Sequence, residues 1–568
     1  MKEQMPVYLR LTVLMLLMVT ATFTAYSQNE ELAPVSRAYV IRNANIIQAP
    51  GRKIDKGAIL IRNGIIQSVG NTVNIPADAI IIEADSLYVY AGFIDGLSNT
   101  GVPKPKDENQ DKKVKDPGNP PNNIAGIEPH RDVRNLLDPA DKSIPDMRAI
   151  GFTAAHTVPH GRMLPGQGAI ILLAGNSPDE LVYKGPVSMF SQLHGAAGIY
   201  PNTVMGVMAK YRELYRQADQ AKSYQKRYIQ DASGMERPKS DRVLEAFYPV
   251  IDRSMPVAFK AEKVLDIQRV FSLKNELGFN LILGEVKEGW DITDKIKTSG
   301  AKVFLSLDLP ELKEEKKAKA DSGKVEEKEK RKTEVDLERE RLELRKEEMI
   351  RKFYTQPALF ASEGIIHGFS TLEAKSKDIK NHLSKLVENG LSEDAALAAL
   401  TTSPAQLLGL SATMGSIDNG KLANLVISDK PYFNKESKVK YVFVDGRKFE
   451  LEDKPKKKHS DEEDVEVSGT WSYTTETPQG AGTGNIVITG EPGNYSGTIT
   501  GSFSGDENVL TNITVDGKEL SFSFSMNVGG DTLNIDVSVT VDGNTFEGSM
   551  TAGVHGSFPI EGERLPNK

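Results

Sequence analysis

The chain has 568 residues, with 70 lysines and arginines against 78 aspartates and glutamates, a formal charge of −8. That length implies about three or four units with material for a real core, and 39% hydrophobic with 26% charged residues excludes collagen-like, wholly disordered and multi-span membrane classes. The near balance of charge argues against a dedicated nucleic-acid binder, and the absence of cysteine excludes disulfide scaffolds, thiolate-held zinc, iron–sulfur clusters and thiol nucleophiles.

The chain opens with Lys2 and Arg10 and then an uncharged apolar run from Leu11 to Thr24. The run is too short for the ~20 residues of a membrane helix. Ala25-Tyr26-Ser27 places small residues before Gln28, as a signal peptidase requires. Residues 1–27 therefore read as a signal peptide. The mature chain is expected to begin near Gln28, in the periplasm or outside the cell, with no membrane span after cleavage.

From Ala38 to Ile82 the segments YVIRNANII, GAILIRNGIIQSVG and AIIIEA alternate, with an Asn63-Gly64 turn, and predict a small antiparallel sheet. Residues 101–125 are polar and rich in proline and glycine, hence a long loop. From Arg131 to Leu410 short apolar strands alternate with helical stretches, which argues for βα units around a parallel sheet or barrel. Residues 311–352 interrupt that pattern with charges of opposite sign at three- and four-residue spacing, as in a solvated helix. Val335, Leu342 and Met349 recur every seventh residue, a stripe too short to specify a coiled coil.

Strand signals return after Leu410, and a charged linker follows. The stretch from Ser468 to Arg564 is all-β, with Leu533, Ile535, Val537 and Val539 on one face and Gly505-Asp506, Asp516-Gly517, Gly529-Gly530 and Asp542-Gly543 as turns. It predicts a small antiparallel barrel or sandwich. Trp471, Tyr473 and Tyr495 would form either part of its core or a contact patch for glycan or protein.

AILIRNGIIQSVG followed by AGFIDGLSNTGVP resembles the opening of the amidohydrolase superfamily, in its imidazolonepropionase-like or prolidase-like branch. GLSEDAALAALTTSPAQLLGL, GSIDNGKLANLVISD and YVFVDGRKF resemble its closing signature. The resemblance covers about residues 38–450. It implies a TIM-like (β/α)₈ barrel whose two chain ends combine in a side β-sandwich. The expected divisions are a β-sandwich part at 28–90, a barrel at 91–410, a second sandwich part at 411–452, a charged linker at 453–467 and an antiparallel β-module at 468–568.

In that family imidazoles and carboxylates at the C-terminal ends of the barrel strands hold zinc or a similar ion, which supplies hydroxide. The resemblance places a His-x-His two residues after Asp95, but Leu97 and Asn99 stand there. Leucine has no lone pair to offer. At the next positions MPVAFK ends in Lys260, NLILGEV carries Gly284-Glu285, and GIIHGFST runs into Leu372 where the catalytic aspartate belongs. The hydrolytic mechanism is therefore not transferable residue by residue, and no cofactor is expected.

There are 8 histidines. His459 lies in the linker, His555 in the terminal module and His382 in a predicted helix, leaving His130, His156, His160, His194 and His367 as pocket candidates. Among these, His156, His160 and His367, together with Gln167 between two glycines, are the candidate binding residues. A bland reading competes, in which they are hydrogen-bonded core or loop histidines. Asp95, Lys260, Glu285 and Asp308 are the candidate pocket charges. Either an ammonium–carboxylate network around Lys260 replaces the metal, or Lys260 reaches solvent.

These readings leave three functions open. The preferred one is an exported, metal-free amidohydrolase homologue that binds a ligand or a partner, such as an active relative of the family or a second copy. The rival is a hydrolase of peptides or cyclic amides with zinc in an unrecognised site. The third is a surface role carried by the terminal module.

Overall fold

The computed structural model describes residues 38–105, 114–312, 334–451, 465–477, 480–491, 494–501, 507–528, 531–551 and 557–566. The expected leader at 1–27, residues 313–333 of the charged insertion, His459, His555 and the turns at 505–506 and 529–530 lie outside them. The chain divides between Leu451 and Glu452 into two compact units.

The first unit begins with β1 (Ala38–Ala49), β2 (Arg52–Arg62), β3 (Ile65–Gly70), β4 (Ala79–Glu83) and β5 (Tyr88–Ala91). Asn63 and Gly64 both take positive φ, 52° and 76°, the conformation a two-residue hairpin turn demands. β1–β2 and β2–β3 are antiparallel, but β4 and β5 run parallel to β1. That corrects the purely antiparallel expectation: alternation specifies which face is buried, not the direction of the neighbour.

The barrel follows as β6 (Phe93–Ser98), β7 (Phe152–Thr157), β8 (Gly166–Leu172), β9 (Val182–Gln192), β10 (Val257–Lys260), β11 (Leu281–Val286), β12 (Lys302–Ser306) and β13 (His367–Ser370). These eight strands lie side by side in chain order. The Thr371 N–H donates to the Leu97 carbonyl at 3.1 Å, and Ser370 Oγ lies 2.8 Å from the same oxygen, joining the last strand to the first. The barrel class is as expected, with one difference in detail. β8 pairs antiparallel with both β7 and β9, so a hairpin stands where another βα unit would be.

The alternation of the parallel strands sorts two cores, because both faces are buried. Phe259, Leu283, Val303, Leu305 and Phe369 face the surrounding helices. Ala258, Ile282 and Phe304 point inward and join Leu97, Val158, Phe190 and Leu407. Helix Glu334–Ser362 carries the described part of the charged insertion. Leu342 and Met349 are exposed, while Phe353, Tyr354 and Phe360 anchor the same helix on the barrel. The charged stretch is thus the outer end of a barrel helix.

β14 (Leu425–Ser428), β15 (Val439–Val444) and β16 (Arg447–Glu450) close the unit. β14 pairs antiparallel with β5, merging both chain ends into one eight-stranded sheet. Ile41, Ile46, Ile59, Ile66, Leu425 and Phe443 form its core.

The second unit is a nine-stranded antiparallel sheet spanning residues 469–564. Ile535, Val537 and Val539 are buried, as their alternation predicts. Trp471 and Tyr473 are buried as well, and Tyr495 packs partly buried beside them. These aromatics are core, which corrects the contact-patch reading. Among the described residues no helix is long and apolar enough to cross a membrane.

Candidate functional site at the barrel mouth

Leu97 sits at the C-terminal end of β6, fully buried. Its neighbours are the inward apolar side chains of the barrel, and two glycines make room for them. A Cβ on Gly284 would lie 2.2 Å from Leu97 Cδ2, and one on Gly96 would lie 1.9 Å from Phe304 Cδ1. Hydrocarbon therefore occupies the barrel axis below the mouth. Asn99 turns aside, its Nδ2 donating to the Val158 carbonyl at 2.6 Å. Leu372 packs at the edge of the same apolar cluster. Among the described residues no group of three or more histidine or acidic side chains is placed to hold a metal. The donor set does not fit zinc.

Two carboxylates lie buried beside this plug. Asp95 Oδ1 accepts from the backbone N–H groups of Leu97 at 3.3 Å and Thr371 at 3.2 Å, and Oδ2 accepts from Thr371 Oγ1. Glu285 accepts from Ser306 Oγ on one oxygen and from Ser370 Oγ at 2.5 Å on the other. The register of β11 shifts against β12 between Leu283 and Val286, and Glu285 takes a positive φ of 60° within that irregularity. For a side chain with a Cβ this is a conformation that costs about 1 kcal/mol, held by the surrounding bonds. Burial pushes both carboxyls up to about 7, while the hydroxyl and amide donors pull the other way.

The charges above them form a chain along the rim. Lys260 Nζ reaches Glu373 at 2.5 Å and Glu262 at 3.1 Å. Lys287 Nζ lies 4.0 Å from Glu262 and 2.6 Å from Asp308. Burial opposes the charge of Lys260, but the hydrogen bonds and fields of Glu373 and Glu262 outweigh it and raise its pKa. A lysine–carboxylate network therefore exists, but with other members than those expected. Lys260 pairs with neither Asp95, Glu285 nor Asp308; Asp308 joins through Lys287, and Glu285 senses both ammonium groups only through their field.

The histidines divide differently from the expectation. His156 is fully buried, with Nδ1 at 2.9 Å from the Gly96 carbonyl and Nε2 at 2.8 Å from Ser188 Oγ. Desolvation pushes its pKa down to about 4, so it is a neutral core imidazole. His367 opens β13, at the end of the strand away from the mouth, between Phe360 and Phe369. It is not a pocket residue, because outward positions of a barrel strand face the helix layer. Gln167 is half-buried on β8, where its backbone bridges to Asp132. His130 and His194 are exposed.

Among the described histidines, His160 is the one that lines a cleft at the mouth. It lines a cleft of about 310 Å³ with Asn99, Lys104, Asp141, Thr371 and Leu372. Its Nε2 lies 3.1 Å from the Val102 carbonyl. Thr371 links cleft and interior, since it lines the one and donates to Asp95 in the other. Glu262, Lys287, Ser306, Ser370, Thr371 and Glu373 were not singled out by sequence. The usable signal was the lysine itself: a half-buried ammonium demands carboxylates from adjacent strand ends.

The amidohydrolase family model matches residues 324–449. An amidohydrolase from Thermotoga maritima MSB8 superposes with a TM-score of 0.57 at 21% identity, covering 73% of this chain and 100% of that one. A prolidase complexed with N-methylphosphonate-L-proline aligns at 16% identity and a TM-score of 0.41, over 73% and 100% of the two chains. A prolidase-like protein from Bifidobacterium longum gives 13%, 0.42, 73% and 95%. No curated protein sequence matches. The first unit has the amidohydrolase fold, and the family model falls on the closing motif of the resemblance.

Proposed function

We propose that this chain is an exported amidohydrolase-fold protein that binds a ligand or partner at its barrel mouth and does not cleave amides through a metal. One observation supports the reading: Leu97, at a position where the resemblance expects a metal-binding histidine, packs with Phe304 in the apolar interior of the barrel. The two carboxylates nearby support it. Asp95 is fully buried, and three of its roughly four acceptor sites are taken by donors of Leu97 and Thr371.

The rim is suited to recognition. Its charges are paired and held in place, and the adjoining cleft offers amide, hydroxyl, imidazole and ammonium groups on one wall. A second copy or an active relative of the same fold is the proposed partner, supported by fold analogy.

The deciding measurement is metal content of the mature chain, residues 28–568, after exposure to zinc, manganese and iron and then dialysis. Less than about a tenth of an equivalent is expected. About one retained equivalent would overturn the reading and favour the rival hydrolase with zinc, to be followed by peptide and lactam substrates.

A further inference from the structure

The opposite end of the barrel holds a group of cations that the mouth does not explain. A cleft of about 770 Å³ opens at the N-terminal ends of β10, β11 and β12, and Arg253, Lys274, Asn280 and Lys302 line it. Lys302 begins β12 in alternation with Phe304 and Ser306, both of which face inward. Its charge is felt by the buried His156, which places the ammonium toward the barrel floor. Arg253 extends over Gly278, where an added Cβ would come 3.4 Å from its Nη2. Asn280 Nδ2 donates to the Arg253 carbonyl at 3.0 Å and pins that turn. Lys274 lies in the last turn of helix Val264–Leu277.

Several other half-buried cations of this unit have partners. Lys260 and Lys287 each meet two carboxylates. Lys380 lies 5.7 Å from the centre of the Tyr432 ring, and Arg148 lies over Phe449 with a bond to the Leu173 carbonyl. Lys302 has neither a carboxylate nor a ring among the described residues. Glu276, beside Lys274 in sequence, is committed to Arg212 at 2.6 Å and Arg216 at 2.5 Å. Burial and the charge of Lys184 hold the Lys302 pKa below the usual lysine value. An uncompensated ammonium at the floor of a cleft is the environment in which an anion gains most.

We infer that this cleft is a binding site for a small polyanion of the phosphate or polycarboxylate kind, with Lys302 as its deepest contact and Arg253 and Lys274 at its entrance. The guanidinium fork suits planar or tetrahedral oxyanions, and the two lysines supply point charges. Helix ends at Gly278 and Gly300 turn carbonyls toward this side and work against an anion, so more than one cation is needed. The site is independent of the mouth and of the reading proposed for it.

The test is calorimetric titration of the mature chain with inorganic phosphate, pyrophosphate and citrate at constant ionic strength set with chloride. One site per chain with a Kd below about 1 mM is expected for pyrophosphate or citrate. Pyrophosphate alone would identify a phosphate-bearing ligand, and citrate alone a polycarboxylate. Lys302→Met should weaken binding about tenfold or more. The double change Arg253→Gln with Lys274→Gln, at an exposed and a half-buried position, should weaken it severalfold and serves if the first variant does not fold. Lys260→Met, at the other end, should leave it unchanged. No saturable binding by any of the three up to about 10 mM, or binding that survives both the Lys302 variant and the Arg253/Lys274 double variant, would overturn the inference.

Discussion

Replacing Glu285 by glutamine should stabilise the first unit at pH 8 and cost it about 1 kcal/mol near pH 4. In the fold the Glu285 carboxyl is pushed up to about 7 from an ordinary 4.5. Between those values the folded state keeps a proton that the unfolded chain gives up. Stability therefore falls as pH rises through that window, and the loss is complete above about 7. At about 1.4 kcal/mol per pH unit the penalty is about 3 kcal/mol. Glutamine removes the charge but keeps the shape. One serine hydroxyl, Ser306 or Ser370, must turn to accept from the new amide, which costs about 1 kcal/mol. The expected net gain at pH 8 is ~1–3 kcal/mol. The chain has 2 tryptophans, so a Trp471→Phe background leaves Trp290 to report urea unfolding of the barrel unit. A glutamine variant less stable than its parent at pH 8 would refute the reasoning, since that is how a carboxylate holding a cation behaves.

Leu97→Ala should destabilise the barrel by ~2–5 kcal/mol in the same assay, because its rigid surroundings cannot collapse around the void. Gly284→Ala should cost ~1–3 kcal/mol by forcing a methyl against Leu97 Cδ2. Combining the two changes should cost less than the sum of the single variants, and strict additivity would deny the contact. Lys260→Ala should cost about 1 kcal/mol, shrinking in high salt, as thermal unfolding at two ionic strengths would show; no effect at low salt would mean the rim pairs contribute nothing. Trp471→Ala should cost ~3–5 kcal/mol in the second unit, while the Trp290 signal keeps its midpoint.

Much of the architecture was legible in order and period. The two end motifs, the Asn63-Gly64 hairpin and the alternation in residues 533–539 each encode local geometry, and local geometry survives folding. The leucine at position 97, where the resemblance expects a metal-binding histidine, was also legible, because residue identity does not depend on folding. The direction of β4 and β5, the antiparallel β8 and the depth of each charge were not. These depend on which strands meet, and a linear pattern specifies faces, not neighbours. Lys260 illustrates the point: its need for carboxylates follows from its chemistry, but Glu373, more than a hundred residues away, became the partner only when the barrel closed. His156 and His367 are the converse case. Two imidazoles that look like site residues in the sequence are made core residues by burial, because tertiary packing alone decides whether water reaches a ring nitrogen.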